Sequence, residues 1–231
     1  PSGASPSTPR SADPITYPTL PDAALGHELV AAQASIHNIA GRAEIAGLLG
    51  YSDEEDPVAG EIERWERIVV DDVLDPQPLV RAGLGWLRAH AVKPDRVGLV
   101  HGDFKANNLL HGEHGLAAVL DWDLAHIGDP VEDLGWTMLW RTEWDLVGGL
   151  LSEAEYIAAY EAHAGVTIDR GTLAFWQLFA LVKLAAIFMI QADRDTAVSA
   201  SPTMAMMGRA IPWVESRIAD FLAGRAGAGA W

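Results

Sequence analysis

The chain has 231 residues, 49% of them hydrophobic and nine of them Trp, so it can bury a sizeable core as one large domain or two small ones. Lys and Arg number 16 against 32 Asp and Glu, a formal charge of -16 that argues against nucleic acid or an anionic membrane as partner, suits an acidic cytoplasmic protein and would favour a cationic ligand. Cysteine is absent, which removes disulfides and thiol chemistry. The opening PSGASPSTPR lacks both the layout of a signal peptide and an initiator Met, as a trimmed chain or a fragment would.

Residues 1–21 hold six prolines among Ser and Thr, the composition of an extended linker. A helix is predicted from about Asp22 to Ala40, where Leu25, Leu29, Ala32, Ile36 and Ile39 recur on one face. Asp53 to Asp56 form an acidic run that reads as a solvated loop and helix start. Val58, Ile62, Trp65 and Val69 mark a second helix. Leu79, Gly83, Trp86, Leu87 and His90 mark a third, bounded by Asp75-Pro76 and Lys93-Pro94. Gly83-Leu84-Gly85 lies inside that helical pattern and is not a phosphate loop.

The stretch Val97–Asp133 carries most of the chemistry-bearing residues. Val97, Leu99 and Val100 form a short apolar run that stops at His101-Gly102-Asp103. Leu109-Leu110 and then Ala117, Val119 and Leu120 flank a Gly-containing connection, so a small hairpin is expected over about Leu109–Leu120. That hairpin would bring Asn108 near Asp121, with Asp103 just upstream. One carboxylate and one amide oxygen suit a hard divalent cation such as magnesium. The remaining carboxylate, Asp103, is then available to accept a proton from an attacking hydroxyl.

After Asp129-Pro130 a helix should run from Val131 to about Trp140, with Asp133 in its first turn, where an acid is favourable. Ser152-Glu153-Ala154-Glu155 is a capping box opening a helix that stops near Gly165. Thr172 to Ile190 has the length of a membrane span, but Gln177 and Lys183 interrupt it and no basic flank follows, so it reads as a buried core helix. Met204, Met207, Ile211, Val214, Ile218 and Phe221 give a last amphipathic helix. No internal repeat is present.

HGDFKANN resembles the H-G-D-x-x-x-x-N catalytic loop of aminoglycoside phosphotransferases and related small-molecule kinases of the protein-kinase fold. LDWDLAHIGDPVEDLGW is similar to the segment that follows it. The closer likeness is to the kinase-like branch found in acyl-CoA dehydrogenase family members, with Asp123 where Glu is usual. The resemblance implies that Asp103 is the catalytic base and that Asn108 and Asp121 hold Mg2+. It implies that Lys105 lies near the transferred phosphate of ATP (or GTP), and that Leu110 packs under the base. It makes Asp133 a brace for the catalytic-loop backbone, with His101 as a further structural support, and makes His37 a packing residue at the end of the first helix.

The fold expected is mainly α (α+β): a kinase-like C-terminal lobe over residues 22–224, helical with a short catalytic β-hairpin, between the linker 1–21 and a flexible tail 225–231. The β-rich N-terminal lobe, with its glycine-rich loop and strand lysine, has no counterpart before His101. The expected activity is therefore phosphoryl transfer to a hydroxyl of a small molecule, weak without such a lobe supplied in cis or trans. The uncovered apolar face makes a homodimer conceivable. The acceptor wall is expected from the loop at 41–57 and from Trp140, Glu143, Trp144 and Asp145, although core packing is an equal reading for Trp136 and Trp140. Two other readings compete. One is a non-catalytic scaffold that kept the loop. The other is a zinc hydrolase using His101, Asp103, His111, His114, Asp121 and His126, which would leave Asn108 without a role.

Overall fold

The computed structural model describes residues 23–40, 42–49, 56–71, 77–112, 115–139, 150–198 and 202–224. In chain order the elements are α1 (Ala23–His37), α2 (Arg42–Leu49), α3 (Pro57–Asp71), α4 (Pro78–Ala89), β1 (Gly98–Val100), β2 (Leu109–Gly112), β3 (Gly115–Val119), β4 (His126–Gly128), α5 (Val131–Leu139), α6 (Glu153–Ala164), α7 (Arg170–Val198) and α8 (Pro202–Leu222). A single 3-10 turn, Ala106–Asn108, precedes β2.

The helices start and stop where their sequences provide caps. Asp56 accepts the N–H groups of Val58 and Ala59 and opens α3. Asp129 Oδ1 does the same for Val131 at 3.0 Å and opens α5. Ser152 and Glu155 form both halves of the capping box of α6, which ends on Gly165 at φ 70°. Pro78 sits in the first turn of α4. Helix α1 ends three residues before the predicted Ala40. The predicted loop at 41–57 contains α2, whose eight residues carry too short an apolar pattern to stand out in the sequence.

The apolar stripes meet in three clusters. α7 runs through the largest, packed by α3, α4, α5 and α8 through Ile62, Trp65, Leu87, Trp136, Phe179 and Ile218. The long apolar run is thus a core helix, buried from Phe175 to Ala186. A second cluster joins α1, α5 and α6 through Val30, Leu134, Tyr156 and Tyr160. The third seats Phe104 and Leu109 against Leu29 and Ile36 of α1, and so fixes the start of the hairpin to the helical body.

Among the described residues, four short strands form two antiparallel pairs. The hairpin β2–β3 is the predicted one, with Leu109 opposite Val119 and a register irregularity between Leu110 and His111. The pair β1–β4, with Val100 opposite His126, was not foreseen. It closes the chain from His101 to Ala125 into one loop that holds the hairpin and returns it to the helices.

At one point α5 and α7 touch backbone to backbone. A Cβ on Gly135 would lie 2.6 Å from the carbonyl carbon of Trp176. Gly135→Ala is therefore expected to push the helices apart and cost about 1–3 kcal/mol, the usual range for overpacking. Denaturant unfolding of the two proteins checks this, and equal midpoints would refute it.

Candidate active site

The loop after β1 is held from below by one carboxylate. Asp133 Oδ2 accepts the backbone N–H of His101 at 2.7 Å, and Oδ1 accepts that of Gly102 at 2.9 Å. His37 Nε2 lies 3.0 Å from the same Oδ2, and His37 Nδ1 lies 2.7 Å from the Tyr160 hydroxyl. The pattern that satisfies every group has Tyr160 O–H donating to Nδ1 and the Nε2–H donating to Asp133. Burial pushes the Tyr160 hydroxyl up to about 12, so it stays a donor. Burial would raise the Asp133 carboxyl as well. The hydrogen bond from His37, joined by that from the His101 N–H, outweighs it and holds the carboxyl at about 2. Asp133 thus joins the backbone of His101 and Gly102 to His37, a residue expected only to pack.

Gly102 is required at its place. Its φ is +80°, and a Cβ there would meet the Leu124 carbonyl oxygen at 2.4 Å. The loop therefore crosses directly over the segment that follows the hairpin.

Asp103 comes next, with its carboxylate in a buried socket. Trp136 Nε1 donates to Oδ1 at 3.0 Å. Asn108 Nδ2 donates to Oδ2 and to the Asp103 carbonyl, both at 2.9 Å. Lys105 Nζ lies 2.8 Å from Oδ2. Three donors meet this carboxylate, and the lysine among them is part-exposed. The Trp136 contact was missing from the sequence reading. Its helical spacing shows that the ring is buried but not what the indole nitrogen meets.

Asn108 and Asp121 are joined through the backbone. The Leu120 N–H donates to the Asn108 carbonyl at 2.7 Å, which places Asp121 beside Asn108 at the end of the hairpin. His101 adds a second tie. Its Nδ1 accepts the Asp103 N–H at 3.1 Å, and its Nε2 lies 3.0 Å from the Leu120 carbonyl. Both ring nitrogens are thus spent on fastening Asp103 to the residue before Asp121. Asp121 is exposed and has φ 61°, the only non-glycine positive φ among the described residues, a strained backbone of the kind found at functional positions. With its amide nitrogen committed to Asp103, Asn108 keeps its Oδ1 for another ligand. An amide oxygen and an exposed carboxylate on adjoining chain ends are the donor set a magnesium ion takes.

Among the described residues the zinc grouping does not assemble. His101 has no free nitrogen, and His126 is buried against Glu132 at 3.0 Å. Only the backbone of His111 is described, and His114 lies outside the described residues, as do Trp140, Glu143, Trp144 and Asp145 of the expected acceptor wall. Leu110 is exposed on the hairpin, and Leu120 and Trp122 are exposed just after it.

A profile of the phosphotransferase enzyme family matches residues 13–176. Acyl-CoA dehydrogenase family member 10 of Mus musculus is 26% identical over 160 residues, covering 62% of this chain but only 15% of that protein. The fold is similar to that of a candidate aminoglycoside phosphotransferase from Ralstonia eutropha, with 23% identity and a TM-score of 0.70 over 89% of this chain and 66% of the other. It is also similar to an aminoglycoside phosphotransferase, APH(2")-IIIa, solved with GDP and kanamycin, at 18% identity and a TM-score of 0.59, over 87% and 65% of the two chains. The chain thus spans just under two thirds of these solved structures and a small part of the mouse relative.

Proposed function

The chain belongs to the phosphotransferase enzyme family, and from that premise we propose that it serves to move the terminal phosphate of ATP or GTP onto a hydroxyl of a small molecule, with Asp103 as the base. The observation that carries this reading is the socket of Asp103, whose carboxylate is oriented by Trp136 and Asn108 and paired with Lys105. A base must face its substrate in one geometry, and the two hydrogen bonds from Trp136 and Asn108 impose that.

In the reaction the acceptor oxygen approaches the terminal phosphorus and bonds to it. Its proton passes to Asp103, and the bond from that phosphorus to the bridging oxygen breaks, releasing the nucleoside diphosphate. As the phosphate arrives, Lys105 turns from Asp103 to the transferred group and offsets its charge. Asn108 Oδ1 and the Asp121 carboxylate would hold Mg2+, which neutralises charge on the phosphates when bound. Leu110, exposed on the hairpin, offers an apolar surface to the nucleotide base. The formal charge of -16 favours a cationic acceptor.

The direct test is turnover with ATP or GTP, Mg2+ and a panel of hydroxyl-bearing metabolites, cationic ones included. It should be run on this chain and on the chain extended by whatever its gene encodes upstream. Transfer in either form that is lost in Asp103→Asn supports the reading. Nucleotide binding with no transfer to any acceptor would favour a scaffold instead. Trp136→Phe removes one hydrogen bond from the base and keeps an aromatic, though smaller, ring in the core. It is expected to lower kcat about tenfold with little change in acceptor KM, because the bond orients the base without touching the substrate. An unchanged kcat would refute the orienting role.

A further inference from the structure

Away from Asp103, four ionisable side chains from four elements meet in the core. They are Glu61 of α3, His126 of β4, Glu132 of α5 and Lys183 of α7, each no more than 3% exposed. His126 Nε2 lies 3.0 Å from Glu132 Oε2, and Lys183 Nζ lies 3.0 Å from Glu132 Oε1. His126 Nδ1 lies 2.9 Å from the Leu124 carbonyl. Trp65 Nε1 donates to Glu61 Oε1 at 2.7 Å, and the Lys183 ammonium lies over the rings of Trp136, Trp65 and Phe179 at 5.2–6.0 Å.

The ligand atoms of Glu61, His126 and Glu132 lie within 4.8 Å of one another, close enough to hold a metal ion. The chain supplies the positive charge itself. Both nitrogens of His126 face acceptors, so the ring is an imidazolium, and with Lys183 it balances the two carboxylates. Burial would lower the His126 pKa, but the Glu132 charge and hydrogen bond, with Glu61, outweigh it and raise it to about 9. The other charged groups nearby are Arg64 on α3, 3.5 Å from Glu61, and Asp133 on α5, which is turned to His37 and the catalytic loop. Such buried, mutually satisfied groups specify position more than they add stability.

The position specified is that of the segment between Asp121 and β4. His126 fixes the Leu124 carbonyl, and that carbonyl is the group that abuts Gly102 next to Asp103. At its other end the segment is tied through Leu120 to Asn108 and His101. Asp121 sits between these anchors with its positive φ. A residue held in that conformation relaxes unless both sides are over-determined.

We infer that the Glu61–His126–Glu132–Lys183 quartet is a clamp whose members are positioning residues for Asp121 and for the crossing of Leu124 over Gly102. The inference rests on the reading of Asp121 as a magnesium ligand. The test is Mn2+ binding in the presence of ADP, read by EPR on the 231-residue protein, for wild type, Asp121→Ala, His126→Gln and the double variant Glu132→Gln/Lys183→Met. The double variant removes both partners of the ion pair together and leaves no lone buried charge. Leu87→Ala, a core change away from the segment, controls for lost stability.

The expected result is Mn2+ affinity lost in Asp121→Ala, weakened about tenfold in His126→Gln and in the double variant, and unchanged in Leu87→Ala. If His126→Gln does not fold, the double variant decides. Wild-type affinity in the folded quartet variants would overturn the clamp while leaving the phosphotransferase reading intact. No Mn2+ binding by wild type, or binding that survives Asp121→Ala, would overturn Asp121 as the metal ligand and the clamp with it, whereas the phosphotransferase reading is decided separately by turnover of the extended chain. Stoichiometric zinc that copurifies and is lost in His126→Gln would overturn the clamp by making the quartet a metal centre.

Discussion

Asp103→Asn is expected to fold as the wild type does and to lose between about a hundredfold and ten-thousandfold in kcat, the range that a positioned general base contributes. The amide occupies the volume of the carboxylate, and its oxygen still accepts from Trp136 Nε1 or from Asn108 Nδ2. The neutral group cannot take a proton from the acceptor hydroxyl. It also releases Lys105 from its 2.8 Å ion pair, so binding of the anionic nucleotide should hold or tighten while transfer fails. Alanine is the poorer probe. It would take one acceptor from the buried Trp136 indole and one of two from the Asn108 amide, at roughly 1–3 kcal/mol each, and mix lost stability with lost chemistry. Measurement of kcat, KM for the nucleotide and thermal midpoint on one preparation separates the two. A variant that keeps a tenth of the wild-type turnover would remove Asp103 from the role of base.

The parts of this site legible in the sequence are those written in contiguous residues. His101, Gly102, Asp103, Asn108 and Asp121 fall at spacings that a short hairpin brings together, and Leu109–Gly112 does pair with Gly115–Val119. The capping box at Ser152 and the apolar run of α7 are equally local signals, and both elements form as expected. What was not legible depends on which atom of a buried residue meets which distant one. His37 and Trp136 carry the same periodic signature as packing residues. Their nitrogens nevertheless meet Asp133, 96 residues away, and Asp103, 33 residues away. The β1–β4 pair escaped because each strand has three residues, too few for an alternation to show. The quartet is the extreme case. Glu61, His126, Glu132 and Lys183 lie on four elements, and no local spacing ties any one of them to the other three.

Asp133 should prove the residue on which the fold of the loop depends most. Its carboxylate accepts from His37 and from two consecutive backbone N–H groups, and none of these donors is reached by water. Asp133→Ala strands all three, and breaking a buried charged network in this way costs roughly 3–5 kcal/mol. Asp133→Asn keeps the shape but replaces one accepting oxygen with a donating nitrogen that faces a donor, so it should lose somewhat less. The two are also separable by pH. The folded Asp133 carboxyl sits at about 2 against an ordinary value of 3.8. A depressed folded value stabilises the native state above the unfolded value, and the contribution is lost as pH falls through 3.8 towards 2. The full difference is worth about 2 kcal/mol at neutral pH, and about half of it should be gone at pH 3. Denaturant unfolding of wild type and Asp133→Asn at pH 7 and pH 3 should therefore show a stability gap that narrows by roughly 1 kcal/mol in acid. A gap that stays constant between the two pH values would mean that the charge of Asp133 does not hold the loop. The brace would then act through its shape alone.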